Sequence, residues 1–201
     1  MQAKKLLILA AATAGFATAA AAETAGPPPD LATRVCSTCH GKDGHSVAPT
    51  FPELAGQTAV YIEAQLKAFR DRSRGDPHAQ AYMWGMASQL TDAVIKQLGA
   101  YYSAQPPSPG TPQDKSEVAA GKKIFDEGIS SADVPACAGC HGEKAQGADT
   151  IPRLAGQHRE YLAAQLLAFK NELRANDIMH NTAKNLSNED IRAVAAFLAS
   201  Q

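Results

Sequence analysis

The sequence contains no block of lysines and arginines of the kind that follows a phosphate backbone, and its formal net charge is only −1. No nucleic-acid partner is expected. Charged residues make up just 19% of the chain against 45% apolar ones, which fits neither a disordered charged tail nor a polytopic membrane protein. Aromatic residues are scarce at 6%, so any small unit built from this chain has a thin core and loops that need something central to pack on. No segment alternates apolar and polar residues as a half-buried strand does, which leaves helices and loops. Cysteine is nearly absent too: four residues, none outside two short strings, so none is spare for an ordinary structural disulfide. Against these absences stands a length of 201 residues, which suits two units of about 100 residues each.

Lys4 and Lys5 precede an apolar stretch from Leu6 to Phe16, and Ala20-Ala21-Ala22 before Glu23 has the small-residue form of a cleavage site. Residues 1–22 are therefore read as a cleaved secretory signal and not as a membrane anchor, because the strongly apolar part is too short to span. Its removal leaves 17 basic against 20 acidic residues. The mature chain is expected in a bacterial periplasm.

The remainder is written twice. Val35-Cys36-Ser37-Thr38-Cys39-His40-Gly41 returns as Ala136-Cys137-Ala138-Gly139-Cys140-His141-Gly142, and Phe51-Pro52-Glu53-Leu54-Ala55-Gly56-Gln57 as Ile151-Pro152-Arg153-Leu154-Ala155-Gly156-Gln157. Tyr61, Gln65, Leu66, Ala68 and Phe69 recur 100 positions later, and Met83 and Leu90-Thr91 recur as Met179 and Leu186-Ser187. Such self-similarity predicts two copies of one unit. The division is 23–105, a proline-rich linker at 106–113, and 114–201, with prolines 106, 107, 109 and 112 favouring a semi-extended spacer of limited slack. Three main helices are predicted per half. One precedes each cysteine string, more clearly at Val118 to Glu127; one carries the stripe Tyr61, Ala64, Gln65, Ala68, Phe69 or its repeat; the last is capped by Thr91 or Ser187.

Both cysteine strings have the form C-x-x-C-H, which marks covalent attachment of c-type haem. Two thiols one helical turn apart can form thioethers to two vinyl groups on one porphyrin edge, and the adjacent imidazole swings under the iron. A disulfide or thioredoxin-type pair carries no obligatory histidine, and a zinc site would use the same residues with tetrahedral thiolates. The duplication on an exported chain favours haem. Cys36, Cys39 and His40, and Cys137, Cys140 and His141, are thus the attachment and proximal-ligand residues, with two covalently bound haem c groups. For the opposite face the repeat selects Met83 and Met179, thioethers that favour ferrous iron and raise the potential. Met86 is the spare, and His180 beside Met179 is the rival to watch. Pro52 and Pro152 are placed to offer a carbonyl to the ligand histidines. Gln57, Tyr61, Gln157 and Tyr161 either bond propionates or line the haem edge, or, for the tyrosines, are helix core with a polar tip. His45, His78 and His158 read as solvated surface groups, as does the basic cluster Lys67, Arg70, Arg72 and Arg74, whose other reading is the steering of an acidic redox partner.

Two such units, each continuing as P-x-L-A-G-Q-x-x-x-Y-x-x-x-Q-L and then Met before an L-S/T helix, resemble the dihaem cytochrome c4 family over nearly all of the mature chain. The resemblance implies an all-α protein of two tandem class I cytochrome c domains related by a pseudo-twofold axis. It implies an electron carrier and not an enzyme, soluble or loosely membrane-associated, working between respiratory complexes such as a cytochrome bc1 complex and a terminal oxidase. The alternative is the dihaem subunit of a flavoprotein dehydrogenase of the sulfide-oxidising type; a dihaem peroxidase or thiosulfate dehydrogenase would need an open or unusually ligated iron. Charge is nearly even between the halves, −1 for residues 23–105 and −2 for 106–201, so the marked asymmetry found in parts of that family is weak here. The second copy has Met179-His180-Asn181-Thr182 where the first has Met83-Trp84-Gly85-Met86, so the two haem environments should differ in polarity.

Overall fold

A computed structural model describes residues 29–201; the expected signal at 1–22 lies outside them. Among the described residues there are helices, loops and two isolated β-bridges, and no strand.

In the first half a helical turn at Ala32–Cys36 runs into α1 (Ser37–His40), followed by α2 (Ala59–Arg70), a widened π turn at Ala79–Met83 leading into α3 (Trp84–Ala87), and α4 (Asp92–Ser103). The second half has α5 (Lys115–Glu127), α6 (Ala138–His141), α7 (Arg159–Lys170), α8 (Asp177–Ala183) and α9 (Asn188–Ala199). The predicted caps form. Thr91 Oγ1 accepts from Val94 N at the start of α4, and Ser187 and Asp190 close a reciprocal capping box on α9. Helix α2, which carries the Tyr61 to Phe69 stripe, ends at Arg70.

Helix α2 packs on α4 in the first half, and α9 packs on both α5 and α7 in the second. The α5–α9 crossing is close enough that a Cβ on Gly121 would stand 1.9 Å from the Ala193 carbonyl oxygen. The second half has one continuous core, from Phe125 and Leu162 to Ile191 and Phe197. The first has two smaller ones, Ile62 with Leu98 and Tyr102, and Phe69 with Ala79 and Ala87. The long helix expected before each cysteine string is thus present as α5, whereas its first-half equivalent is short among the described residues.

The two halves meet about an approximate twofold axis drawn by matched hydrogen bonds. Gln57 Nε2 donates to the Arg153 carbonyl (3.0 Å) and Gln57 Oε1 accepts from Arg153 N (2.8 Å). Gln157 makes the mirror pair with Glu53, donating at 3.0 Å and accepting at 2.9 Å. Both amides thus join the halves, each with one Nε2 hydrogen bond and one accepted bond across the interface. The segment between α4 and α5 is less a spacer than a strap: Ser108 is buried, its hydroxyl donates to Glu53 Oε2 (2.6 Å), and Thr111 N donates to the Ala199 carbonyl (2.8 Å).

Candidate functional site

Each C-x-x-C-H string ends in a single helical turn, α1 or α6, with the first cysteine at its N-cap and the histidine as its last residue. The turn stops at a glycine of positive φ: at Gly41 (φ 72°) a Cβ would lie 1.9 Å from the His45 carbonyl oxygen, so no other residue fits. Cys36 and Cys137 are half-buried, Cys39 and Cys140 exposed. Burial pushes the Cys36 thiol up and that of Cys137 to about 11, the opposite of an activated redox thiolate.

His40 and His141 are buried, 7% exposed each. His40 Nδ1 lies 2.9 Å from the Pro52 carbonyl oxygen and His141 Nδ1 3.0 Å from that of Pro152. A carbonyl only accepts, so Nδ1 carries the proton and Nε2 is the nitrogen left with a lone pair. Burial, the larger influence, lowers both imidazoles' pKa against the opposing pull of the carbonyl, which keeps the rings neutral and able to ligate.

The methionines occupy matched places in unlike settings. Met83 sits at the end of the π turn, half-buried on the Phe69–Ala79–Ala87 cluster. Met179 lies in α8, packed on the main core of the second half. Each is followed four residues later by a fully buried alanine, Ala87 or Ala183, both 0% exposed, and that register is what the sequence carries. Met86 is 57% exposed. His180 Nδ1 faces the Phe169 carbonyl at 3.0 Å. An open cleft in the second half is lined by Val134 and Pro135, just before the second cysteine string, and by Ile178, Asn181 and Thr182 of α8. Two thiols, a neutral imidazole with a free Nε2 and a thioether in each half are the donor set that a covalently held haem requires, so the residues fit the group.

A family model described as Cytochrome c matches residues 29–103 and again 118–201. The chain is 37% identical over 198 residues to cytochrome c4 of Pseudomonas aeruginosa, covering 96% of this chain and 94% of that one. A solved structure of Acidithiobacillus ferrooxidans cytochrome c4 superposes with a TM-score of 0.79 at 42% identity, over 83% of this chain and 98% of the other. The chain belongs to the dihaem cytochrome c4 family. A further relative, 42% identical over 176 residues (84% of this chain, 80% of that one), is the thiosulfate dehydrogenase electron acceptor of Stutzerimonas stutzeri. As a member of the c4 family with both attachment motifs, the chain carries two covalently bound haem c groups, one in each tandem cytochrome c domain.

Between the two cytochrome c domains lies a cluster that the sequence does not announce. Arg74 and Arg174 are each 7% exposed. Each stacks on a phenylalanine of its own half, Arg74 Cζ 4.7 Å from the Phe69 ring centre and Arg174 Cζ 4.6 Å from that of Phe169. Arg74 donates to Gln65 (2.8 Å), Gln165 (2.8 Å) and the Tyr161 hydroxyl (3.2 Å). Arg174 donates to Gln165 (2.6 Å), Gln65 (2.8 Å) and the Tyr61 hydroxyl (2.7 Å). The Tyr61 and Tyr161 hydroxyls each accept from the opposite half's arginine. Arg74 also leaves the surface cluster it was grouped with. Of the others, Arg70 pairs with Asp71 and Asp92, and only Arg72 is fully exposed, over the Trp84 ring. The histidines read as solvated are not fully exposed either: His45 donates to Ser108 Oγ (2.8 Å) and His158 Nε2 lies 3.6 Å from Glu53.

Proposed function

We propose that this protein is a periplasmic dihaem electron carrier in which Cys36, Cys39, His40 and Met83 hold the first haem and Cys137, Cys140, His141 and Met179 the second, in domains bounded at 23–105 and 114–201. The observation that carries the reading is the duplicated histidine geometry, Nδ1 fixed on a prolyl carbonyl 11 or 12 residues on, with a methionine at matched register in each half. When bound, each haem supplies a one-electron iron couple. The chain's part is to hold the imidazole in one tautomer and orientation, to present a soft neutral thioether that favours the ferrous state, and to keep both in a largely apolar setting. A six-coordinate iron with two protein ligands has no position for oxygen or peroxide, which fits a carrier and not an oxidase or peroxidase.

The expected partners are a membrane donor such as a cytochrome bc1 complex and a terminal oxidase. The 42% identical thiosulfate dehydrogenase electron acceptor supports a second donor, a dehydrogenase of small sulfur compounds, and it is compatible with the same site. No helix among the described residues is long and apolar enough to cross a membrane, consistent with a carrier that moves between partners.

A pyridine haemochrome count with near-infrared spectra of the holoprotein and of Met83→Ala and Met179→Ala tests the ligand assignment. The expected result is two haems per chain and a methionine-to-ferric-iron band that loses part of its intensity in each variant. A band untouched by one substitution would move that ligand to Met86 or His180. Stopped-flow reduction by a purified thiosulfate dehydrogenase against a bc1 complex then separates the donors.

A further inference from the structure

Behind the first attachment string stands a file of polar side chains that its repeat lacks. Tyr102, near the end of α4, is 3% exposed, and its hydroxyl is buried with no nitrogen or oxygen bonded to it. An unpaired buried hydroxyl costs free energy, so its presence calls for a use. The group beside it is the Cys36 sulfur, since Tyr102 belongs to the Ile62–Leu98 cluster and Cys36 packs against that cluster. Burial is the larger influence and pushes both groups up; against it Tyr102 draws the Cys36 thiol down, while Cys36 adds to the rise of the Tyr102 hydroxyl. The ring is fixed from two sides. Tyr101 meets it edge-on with ring centres 5.0 Å apart, and the Tyr101 hydroxyl donates in turn to Asp43 Oδ1. Gly44, at φ 88°, comes so close that a Cβ there would stand 2.9 Å from Tyr102 Cδ1.

One pair of bonds gives the matching positions: Gly56 N donates to the Tyr102 carbonyl and Gly156 N to that of Leu198, both at 3.0 Å. The second half therefore has Phe197 and Leu198 for the two tyrosines, and Lys144 where the first string is followed by Asp43. Cys137 packs on the apolar core there, and burial takes its thiol to about 11 with no side-chain hydroxyl opposing it.

We infer that Tyr102 is a positioning residue for the first haem, its hydroxyl donating to the Cys36 sulfur and holding that attachment point in place. A thiol can both give and accept a hydrogen bond, but the thioether formed on attachment has lone pairs and no proton. Once the haem is joined, the tyrosine can only donate and the sulfur only accept, so the chemistry fixes the direction of the bond. The first haem is thus anchored at Cys36 through a hydrogen-bonded sulfur, and the second at Cys137 through one that packs among apolar side chains alone.

This rests on the covalent two-haem reading above. The experiment is proton NMR of the ferrous holoprotein, with resonance Raman spectra of the carbon–sulfur stretch. In the parent the Tyr102 hydroxyl proton should exchange slowly with solvent and show a cross-relaxation peak to the Cys36 β-protons. Tyr102→Phe fills the same space and removes only the hydroxyl. It should keep two haems per chain and shift the thioether methine resonance and the carbon–sulfur line at Cys36, with those at Cys137 unmoved. Tyr101→Phe, which removes the bond to Asp43 and leaves the Tyr102 hydroxyl in place, should keep the Cys36 signals of the parent. Should Tyr102→Phe not accumulate, the hydroxyl proton of the parent carries the test. A hydroxyl proton that exchanges at the solvent rate or lies against a haem propionate, Cys36 signals unchanged in Tyr102→Phe, or the same shift in both variants or at both haems would overturn the inference. Failure of the underlying reading is distinct: it shows as missing haem in the parent.

Discussion

A single side chain here is often worth more than its neighbours in sequence suggest, and Arg74 shows why. It stands in a run with Lys67, Arg70 and Arg72, yet it is buried with Asp76 and stacked on Phe69. Proximity in sequence concealed it; the signal that could have found it was its counterpart Arg174, at the same offset of 100 as Pro52 and Pro152 and the Tyr61 to Phe69 stripe. By contrast Cys36, His40 and Pro52 and their repeats were legible because their chemistry depends on short-range spacing within one chain segment. Burial of Asp76 pushes its carboxyl up, but Arg74 and then Arg174 outweigh this and hold it below the ordinary aspartate range. Its folded pKa is depressed, so its contribution to stability is present above the unfolded value of about 3.9 and is lost as pH falls through the lower folded value. Denaturant unfolding of the holoprotein as a function of pH should show that loss between the two values, and Asp76→Asn should flatten it. Gln57→Ala removes both cross-interface bonds of one amide and leaves the Arg153 peptide without partners, which should cost about 1–3 kcal/mol in the same assay.

At the scale of elements, the helices with strong local signals appear where the sequence places them, α4 behind Thr91 and α9 behind Ser187, while α5, read at Val118 to Glu127, begins three residues earlier behind an Asp114 cap. Ser187→Ala breaks the capping box and should destabilise by about 1 kcal/mol, read as a lower denaturant midpoint with unchanged slope. Gly121→Ala places a methyl against the Ala193 carbonyl at the α5–α9 crossing; overpacking of this kind should cost about 1–3 kcal/mol and be felt in the second half only. What periodicity could not supply was the π turn at Ala79–Met83. Between Asp76 and Met83 the first half has four residues more than the second has between Asn176 and Met179. A helical stretch over 77–87, about one turn longer than α8 and including the π turn, absorbs that surplus and still brings Met83 to the register of Met179, a tertiary solution with no local signature.

For the whole molecule, the repeat made the twofold arrangement legible but not its adhesive. Polar groups do most of that joining, through Gln57, Gln157, the two arginines and the Glu53–Ser108 contact, and amphipathic patterns are blind to such contacts. A protease nick within 106–113 is expected to leave the halves together on gel filtration of the holoprotein, because the strap is only one of several cross-contacts; separation on nicking would mean that the strap alone holds them. The strap itself, with Ser108 buried and Thr111 bonded to the end of α9, has a kinetic consequence. By keeping each unit in the other's presence at an effective concentration of millimolar order or above, it lets a contact too weak to join two free chains stay closed through every encounter with a donor. Transfer between the two irons then depends on no collision, and its rate should be independent of protein dilution.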